Sequence, residues 1–368
     1  MRIAIEREDF LRTLSRTQGV VDRRHSMAIL TNVLIEADGE SVAAIATDLE
    51  VSLRQRCPAR VEDPGRVAVS ARKLFEIVRE STSDEIVLRT LENQWVGIEY
   101  GRSSFKLMGI DPADHPGMPT VGDGGARFEL GADELSDMIH KTIFAVSQDD
   151  TRSNLAGVHV DKGLKKGWLR FVATDGHRLA LIDKKAKGGP LAAGAILPRK
   201  GLSEVAKIVA EHTGTVTLTL TEAEAVIDLG DSVLSMRLVE GSFPDYNQVV
   251  PKDTKNVARI ERDALLQTVR RVSLLSSERA RGVRLALSDS RIEIRAQNPD
   301  LGEATEDLEI EYAGDDVEIG FNARYLLDVL AVLPEGGAVE LGLGDQLSPG
   351  ILRGEDEAYT YVVMPMRI

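Results

Sequence analysis

Three copies of one pattern begin with IAIEREDFLRTL at residues 3–14, FELGADELSDMI at 128–139 and ARIERDALLQTV at 258–269. Each copy reads as a short strand, an acidic position and then apolar residues at the spacing of one helix face. The acidic residues near the three helix starts, where a carboxylate can accept unpaired backbone N–H groups, are Asp9, Asp133 and Asp263. A repeated start of this kind predicts a repeated domain.

The pattern continues in the same order after each start. Ala-Thr-Asp recurs at 46–48 and 173–175, and a second helix follows a short strand in every copy. Alternating apolar and polar residues after that helix predict two or three further strands. Stretches rich in Pro, Gly and Asp separate the copies near residues 120 and 250. The sequence therefore predicts three α+β domains, at residues 1–122, 127–250 and 251–368.

Composition sets the broad class of the protein. Of the 368 residues, 43% are hydrophobic and 28% are charged, which excludes disorder as the main state. No apolar run approaches the roughly 20 residues that span a bilayer. The opening MRIAIEREDF carries charge where a signal peptide is apolar, so we expect a cytoplasmic protein. The single cysteine, Cys57, excludes an intrachain disulfide and a multi-cysteine metal site.

Charge is distributed unevenly along the chain. A net charge of −14 argues against a protein that holds nucleic acid by bulk attraction, since such binding depends on neutralising phosphates. The predicted helices carry 19 basic and 17 acidic residues, which leaves −16 on the rest of the chain. They span residues 6–24, 72–80, 133–152, 199–211, 261–281 and 322–333. These helices form either a weakly basic surface within an acidic body or ordinary solvated faces, and charge alone does not decide between the two.

Catalytic motifs are missing from the sequence. It contains no Gly-rich phosphate loop at a strand–helix junction and no His-Glu-x-x-His motif. The segment Thr174–Arg178 (TDGHR) offers a carboxylate, an imidazole and a cation, but Asp-Gly between two apolar runs is first a hairpin signal. The apolar end YVVMPMR reads as a last core strand, or as an adaptable lip of a hydrophobic pocket because methionine is flexible. We therefore expect no catalysis and no cofactor or metal.

The motifs together resemble the bacterial β sliding clamp family, the processivity subunit of the replicative DNA polymerase III. The strings that carry the resemblance span essentially the whole chain in order: VATDGHRLA, PRKG, SFPDY, RGVRL, EIGFNARYLLDVL and YVVMPMR. The resemblance implies three domains of one fold, with helices on one face of continuous antiparallel sheets. It also implies a head-to-tail homodimeric ring that encircles double-stranded DNA without sequence preference and has no membrane partner.

The resemblance further implies two groups of binding residues. The residues that match DNA contacts of the family are Arg24, Gln148, Arg199 and Lys200. The residues that match its pocket for short peptides, carried by the polymerase, the clamp loader and repair proteins, are Leu155, Thr174, Gly176, His177, Arg178, Leu179, Pro244, Val249, Asn322, Tyr325, Val362, Val363, Met364, Pro365 and Met366. Four positions depart from some members, which implies weaker contact with single-stranded template and a shallower pocket rim: Ser153, Asn154, Gln248 and Ala280.

A third group matches the seam between the two subunits of the ring. The residues expected on one side of the seam are Lys73, Arg102 and Phe105. Those expected on the other side are Leu274, Leu275, Glu303 and Glu306. Pairing of edge strands across this seam removes two exposed sheet edges, and a heterologous contact that closes after two subunits makes a ring.

Overall fold

A computed structural model gives the fold of the chain. It describes residues 1–21, 27–119, 124–149, 151–251, 254–277, 281–356 and 358–367. The α-helices of this part of the chain are α1 (Arg7–Gln18), α2 (Ala71–Glu80), α3 (Ala132–His140), α4 (Arg199–Val209), α5 (Arg262–Val272) and α6 (Ala323–Val332). All six predicted helices are therefore present.

Three of these helices end more than two residues before the predicted end. The segment expected to continue α3 to residue 152 instead forms short 3-10 turns at Ile143–Ala145 and Ser153–Leu155. Its polar side chains bond to nearby backbone, as when the Ser147 hydroxyl accepts from Asp149 N at 3.1 Å, and such bonds compete with a helix. Likewise α5 gives way to a 3-10 turn at Ser273–Leu275 and α1 ends before Gly19.

The strands follow the predicted pattern closely. They are β1 (Arg2–Glu6), β2 (Asn32–Asp38), β3 (Ser41–Thr47), β4 (Val51–Pro58), β5 (Arg60–Asp63), β6 (Gly65–Ser70), β7 (Glu85–Thr90), β8 (Trp95–Tyr100), β9 (Ser103–Ile110), β10 (Ala126–Gly131), β11 (Gly157–Lys162), β12 (Trp168–Thr174), β13 (Arg178–Lys185), β14 (Lys187–Gly188), β15 (Ala195–Pro198), β16 (Thr215–Leu220), β17 (Glu224–Asp228), β18 (Ser232–Arg237), β19 (Asn256–Glu261), β20 (Gly282–Ser288), β21 (Arg291–Asn298), β22 (Gly302–Glu309), β23 (Val317–Asn322), β24 (Ala338–Leu343), β25 (Gly350–Arg353) and β26 (Tyr359–Val363).

The chain forms two compact units, and residues of the middle repeat belong partly to one unit and partly to the other. The first unit contains Met1–Ser136, Lys187–Ala192 and Lys200–Leu238. The second unit contains Asp137–Ala186, Ala193–Arg199 and Val239–Ile368. The repeat boundaries at residues 122–127 and 250–251 stay a prediction.

The first unit is built on one fourteen-stranded sheet. Its strand order is β14-β10-β16-β17-β18-β4-β3-β2-β6-β9-β8-β7-β1-β5. The join between repeats is the antiparallel pair β18–β4, in which Leu234 lies opposite Leu53. Helices α1 and α2 pack on each other, and Phe10 and Leu74 lie fully buried in the core beside them.

The second unit contains an eight-stranded and a four-stranded antiparallel sheet. Their orders are β15-β11-β12-β13-β26-β25-β24-β19 and β22-β21-β20-β23. The eight-stranded sheet also joins two repeats, because β13 pairs with β26 and sets Leu179 opposite Val362. Helices α5 and α6 pack on each other in this unit. The expected α+β class with long antiparallel sheets is confirmed.

Within the described residues, no helix is long and apolar enough to cross a bilayer. The same residues contain no cluster of three His, Cys, Asp or Glu side chains able to hold a metal ion. Cys57 is a buried free thiol, and burial raises its pKa above the usual value. Cys57 therefore behaves as a small core residue and not as a nucleophile.

Candidate functional site

An apolar cluster in the second unit is the base of the candidate site. It is built from buried residues of four strands of the eight-stranded sheet (β12, β13, β25 and β26) and of the 243–250 segment: Val172, Leu179, Leu181, Tyr246, Ile351 and Val362. Half-buried side chains that pack against it are Phe243, Val249 and Val250. Three of the residues predicted for the peptide pocket, Leu179, Val249 and Val362, thus lie together.

The segment Thr174–Arg178 forms the hairpin turn between β12 and β13. The Thr174 hydroxyl donates to the Arg178 carbonyl at 2.6 Å and accepts from Gly176 N at 3.1 Å. Gly176 has a φ of +88°, a left-handed conformation that favours glycine. The Asp175 carboxylate accepts from His177 N at 2.9 Å and pairs with Arg178. These bonds stabilise the turn, and they engage the Asp175 carboxylate, which a catalytic role of this segment would require to be available.

The C-terminal segment lies against this turn. Strand β26 is buried up to Val363, as a last core strand should be. After it, Met364 N donates to the His177 carbonyl and Met366 N donates to the Gly320 carbonyl, both at 2.8 Å. Met364, Pro365 and Met366 are half-buried. The segment is therefore a core strand that continues into a partly exposed lip.

The start of helix α6 forms a third side of the site. The Asn322 side chain caps the helix by accepting from Arg324 N at 2.9 Å. Tyr325, one turn into the helix, is half-buried and stacks on His177 with ring centroids 6.4 Å apart. The Tyr325 carbonyl accepts from the Tyr361 hydroxyl at 2.9 Å. These contacts hold α6 beside the turn.

The remaining predicted pocket residues lie on two linked loops. Leu155 is buried on the 3-10 turn Ser153–Leu155, whose Asn154 donates to the Ser242 carbonyl at 2.9 Å. Pro244 is exposed in the 243–250 segment. Gln248 donates to Asp245 at 3.0 Å in that segment, and Ala280 lies outside the described residues.

A cavity of about 310 Å³ lies next to Met366, at the end of the half-buried lip formed by Met364, Pro365 and Met366. It is lined by Arg284, Glu318, Ile319, Gly320, Gln346, Leu347, Met366 and Arg367. Arg284 and Glu318 form an ion pair at 2.7 Å on its wall. The concave surface beside Met366 can therefore receive part of an extended ligand.

Sequence reasoning missed four residues that shape this site. They are Phe144, Arg152, Phe243 and Asp328. Arg152 donates to the Asp175 carbonyl at 3.1 Å, and Phe243 stacks on His159 with ring centroids 4.7 Å apart. Phe243 and Asp328 carried a signal, because they stand inside the SFPDY and EIGFNARYLLDVL strings.

The described residues that were predicted to contact DNA lie on helix α4 and on the loop before β11. Arg199 and Lys200 are exposed in the first turn of α4, and Gln148 is exposed after the 3-10 turn Ile143–Ala145. The Lys200 ammonium pairs with Asp48, whose other oxygen accepts from Val51 N at 2.7 Å. Arg24 lies outside the described residues.

Two of the predicted seam residues of the first unit lie on or just before strand β9, and the third lies on α2. Phe105 is 37% exposed and stacks on Tyr100 with ring centroids 5.6 Å apart. Arg102 is exposed just before β9. Lys73 on α2 is also exposed, and it pairs with Glu76 at 2.8 Å.

The predicted seam residues of the second unit lie on strand β22 and the 3-10 turn after α5. Leu274 is 75% exposed and Leu275 is half-buried. Glu303 is exposed, whereas Glu306 accepts from Thr268 at 3.0 Å and pairs with Arg271. The Arg271 guanidinium lowers the pKa of Glu306, so Glu306 stays charged.

Three sequence models of DNA polymerase III beta subunit domains match the chain. They are the N-terminal domain at residues 1–119, the central domain at 129–245 and the C-terminal domain at 247–367. The beta sliding clamps of Caulobacter vibrioides and Pseudomonas aeruginosa are 35% and 36% identical over 374 and 371 residues, which is all of each chain.

Solved structures match over the same length. The Pseudomonas aeruginosa DnaN sliding clamp bound to griselimycin is 36% identical, with a TM-score of 0.94. The sliding clamp from Caulobacter crescentus is 34% identical, with a TM-score of 0.92. Each match covers 100% of both chains.

Proposed function

Since this chain belongs to the DNA polymerase III beta subunit family, the beta sliding clamps, we propose that two copies of it close head to tail into a ring around duplex DNA. Members of the family are processivity factors of the polymerase and are not catalytic. The three domains span residues 1–122, 127–250 and 251–368, and the ring works in the cytoplasm on the bacterial chromosome.

Enclosure explains how an acidic protein can act on DNA. A ring that surrounds the duplex is held by its closed path, so it needs only weak contacts that do not depend on base sequence. Strong phosphate pairing would slow sliding, and a net charge of −14 discourages binding of DNA to the outer surface.

The DNA contacts of the ring are Arg24, Gln148, Arg199 and Lys200. The pairing of Lys200 with Asp48 supports a weak contact, because a phosphate must compete with this carboxylate for the ammonium group. A sliding surface benefits from such competition, since each contact is easily exchanged for the next.

Two sheet edges support the proposed subunit seam. Among the described residues, β22 pairs only with β21, and residues 103–108 of β9 pair only with β8. Arg102 and Lys106 give the β9 edge positive charge, and Glu303 and Asp307 give the β22 edge negative charge. Unpaired edges of opposite charge are suited to antiparallel pairing between two copies.

The apolar cluster and the lip serve as the pocket for short peptides. In this proposal the polymerase, the clamp loader and repair proteins each carry such a peptide, and its apolar side chains enter the pocket. A few buried anchors then supply most of the binding energy. Griselimycin is bound to the Pseudomonas aeruginosa relative, and we expect this pocket to be the site that accepts it in the present chain.

The observation that carries the pocket proposal is the placement of Met364–Met366 against the 174–178 turn. Deletion of residues 364–368 should abolish binding of a short fluorescein-labelled peptide with leucine and phenylalanine side chains. Fluorescence anisotropy measures the affinity, and sedimentation checks that the variant is still a dimer.

Replacement of an exposed leucine outside the pocket provides the control. Leu164→Ser, in the hairpin between β11 and β12, should bind the peptide as the wild type does. Unchanged affinity in the deletion variant would remove the pocket assignment. Loss of affinity together with loss of the dimer would mean that the C-terminal segment acts on assembly.

A further inference from the structure

We infer that Arg178 is a positioning residue that locks helix α6 to the 174–178 turn and thereby shapes the peptide pocket, and that it does not itself grip the peptide. The inference rests on the proposed function of this pocket. It gives Arg178 a different task from the neighbouring side chains that line the pocket surface.

All three nitrogen atoms of the Arg178 guanidinium donate to acceptors within the chain. Nε donates to the Asp175 carboxylate at 3.1 Å, and one terminal nitrogen donates to Asp328 at 2.5 Å. The other terminal nitrogen donates to the Phe144 carbonyl at 2.6 Å. The side chain is only 7% exposed. Little of this group is therefore left to bind a peptide.

Two aromatic rings also enclose the guanidinium. Its central carbon lies 4.5 Å from the centre of the Tyr325 ring and 5.3 Å from the centre of the Phe144 ring. A planar cation over aromatic faces is held by cation–π attraction. Tyr325 also stacks on the exposed His177, and these two rings form one wall of the pocket. The position of Arg178 therefore determines the position of this wall.

Electrostatics makes this lock stable. Burial by itself would lower the pKa of Arg178, but the carboxylates of Asp328 and Asp175 and the nearby Tyr361 hydroxyl hold it above its usual value. The guanidinium thus stays charged, and removal of one partner leaves a buried charge without full compensation. Asp328 is on α6, so the lock joins segments that are 150 residues apart in sequence.

A pocket whose walls come from distant segments binds well only when those walls are held in place beforehand. If the walls move independently, only a fraction of molecules can accept the peptide, and apparent affinity falls by that fraction. Loss of the lock should therefore slow association, while the bound complex, which the peptide itself holds together, dissociates at an unchanged rate.

The test is Asp328→Asn, which removes the charge of the partner on α6 and leaves the turn intact. The probe is an uncharged, acetylated and amidated peptide with leucine and phenylalanine side chains, followed by stopped-flow fluorescence. We expect association to slow by about tenfold, the effect of losing one charged hydrogen bond, with dissociation changed less than about twofold. Arg178→Lys should behave similarly, since one ammonium group cannot reach three acceptors.

The control is Arg324→Gln, an exposed arginine on α6 that approaches Asp328 only at 4.0 Å. It should leave both rates unchanged. If Asp328→Asn dissociates faster from the peptide and associates at an unchanged rate, the Arg178–Asp328 pair contacts the peptide directly. If both rates are unchanged, the pair has no role in binding. Either result overturns the inference. If Arg178→Lys fails to fold, Asp328→Asn still decides. Failure of the wild type to bind the peptide would instead overturn the proposed function.

Discussion

His159 is a half-buried histidine that supports the loop carrying Pro244 and Val249. Its ring stacks on Phe243 within 5° of parallel. Its Nδ1 has no hydrogen-bond partner among the described residues, and its Nε2 lies 3.9 Å from Asp161. Burial lowers the pKa of His159, and the Asp161 carboxylate, which accepts from the Tyr246 hydroxyl at 3.0 Å, only partly opposes this effect.

We predict that acidification destabilises the protein in part through His159. Below about pH 6.5 the unfolded chain binds a proton at this site that the folded chain does not, so the free energy of unfolding falls as pH drops. One proton accounts for at most about 1.4 kcal/mol per pH unit. When the free energy of unfolding is measured by urea denaturation between pH 7.5 and 5.5, it should change less per pH unit for His159→Gln than for the wild type.

Replacement of an exposed histidine separates this effect from general titration. His140→Gln, at the end of α3, should retain the slope of the wild type. Equal slopes for His159→Gln and the wild type would mean that His159 titrates alike in both states.

At the residue scale, local turn chemistry could be predicted and distant partners could not. Asp-Gly at 175–176 predicted a hairpin because the bonds involved lie within five residues. The pairing of Lys200 with Asp48 joins residues 152 positions apart, and no pattern in either segment encodes it. The same reasoning applies to helix caps, since Glu261 and not Asp263 accepts the first N–H groups of α5.

The edge strands β9 and β22 are the elements on which assembly depends. On β22 the side chains of residues 303, 305, 307 and 309 are exposed, whereas Glu306 points toward α5, where it meets Thr268 and Arg271. Glu303 and Asp307 thus share the outward face of the strand. A partner edge with Arg102 and Lys106 would find complementary charge there.

Charge reversal of either edge should prevent dimerisation, and a mixture of the two variants should restore it. One variant carries Arg102→Glu and Lys106→Glu, and the other carries Glu303→Lys and Asp307→Lys. Each variant alone has like charges at both seams. In the mixture one seam has both edges reversed and the other has both edges native, so both seams are attractive. Sedimentation measures the dimer fraction.

The mixture is the decisive sample. Two variants that stay monomeric together as well as alone would contradict this seam. Dimers of each variant alone would show that the charged edges do not determine assembly. Restoration should weaken at high salt, because exposed charges are screened.

A four-residue ion cluster fixes the start of β26. Asp356 pairs with Lys141 at 3.3 Å and with Lys184 at 3.0 Å, and Asp137 pairs with each lysine at 3.0 Å. The Lys141 side chain is 7% exposed. Since β26 leads into the pocket lip, this cluster and Arg178 hold the two ends of the β13–β26 pair.

We predict that Asp356→Asn lowers the free energy of unfolding by an amount on the order of 1–3 kcal/mol, because it leaves the half-buried cluster with excess positive charge. The partial exposure of Asp356 keeps the loss below that of a fully buried pair. Glu355→Gln changes an exposed neighbour and should cost little. Equal unfolding midpoints for the two variants would show that water solvates the charges of Lys141 and Lys184 well enough to replace the Asp356 carboxylate.

At the element scale, the sequence predicted which elements occur better than where they end. Alternating residues located β7–β9, β16–β18 and β24–β26, because a period of two is a strong signal. The two-residue strand β14 carries no such signal, since it exists only through pairing with Phe128 and Glu129 of β10. The early ends of α3 and α5 depend on side-chain bonds to the backbone, which periodicity does not detect.

Continuous sheets are the main feature of the whole molecule. Pairing of β18 with β4 and of β13 with β26 joins strands of different repeats, so the repeats share hydrogen-bonded backbone and not only side-chain contacts. Such joins could be expected from a threefold repeat with edge strands that need partners. The ring that we propose repeats this solution between subunits.

The most direct test of the central claim is retention on DNA of different topology. The protein is loaded by its clamp loader onto a nicked circular duplex and separated from free protein by gel filtration. One half of the sample is then cut once with a restriction enzyme. Enclosure predicts that the protein stays with the circle and is lost from the linear duplex, since it can slide off an end. Equal retention on both forms, or equal loss from both, would contradict a ring that encircles DNA.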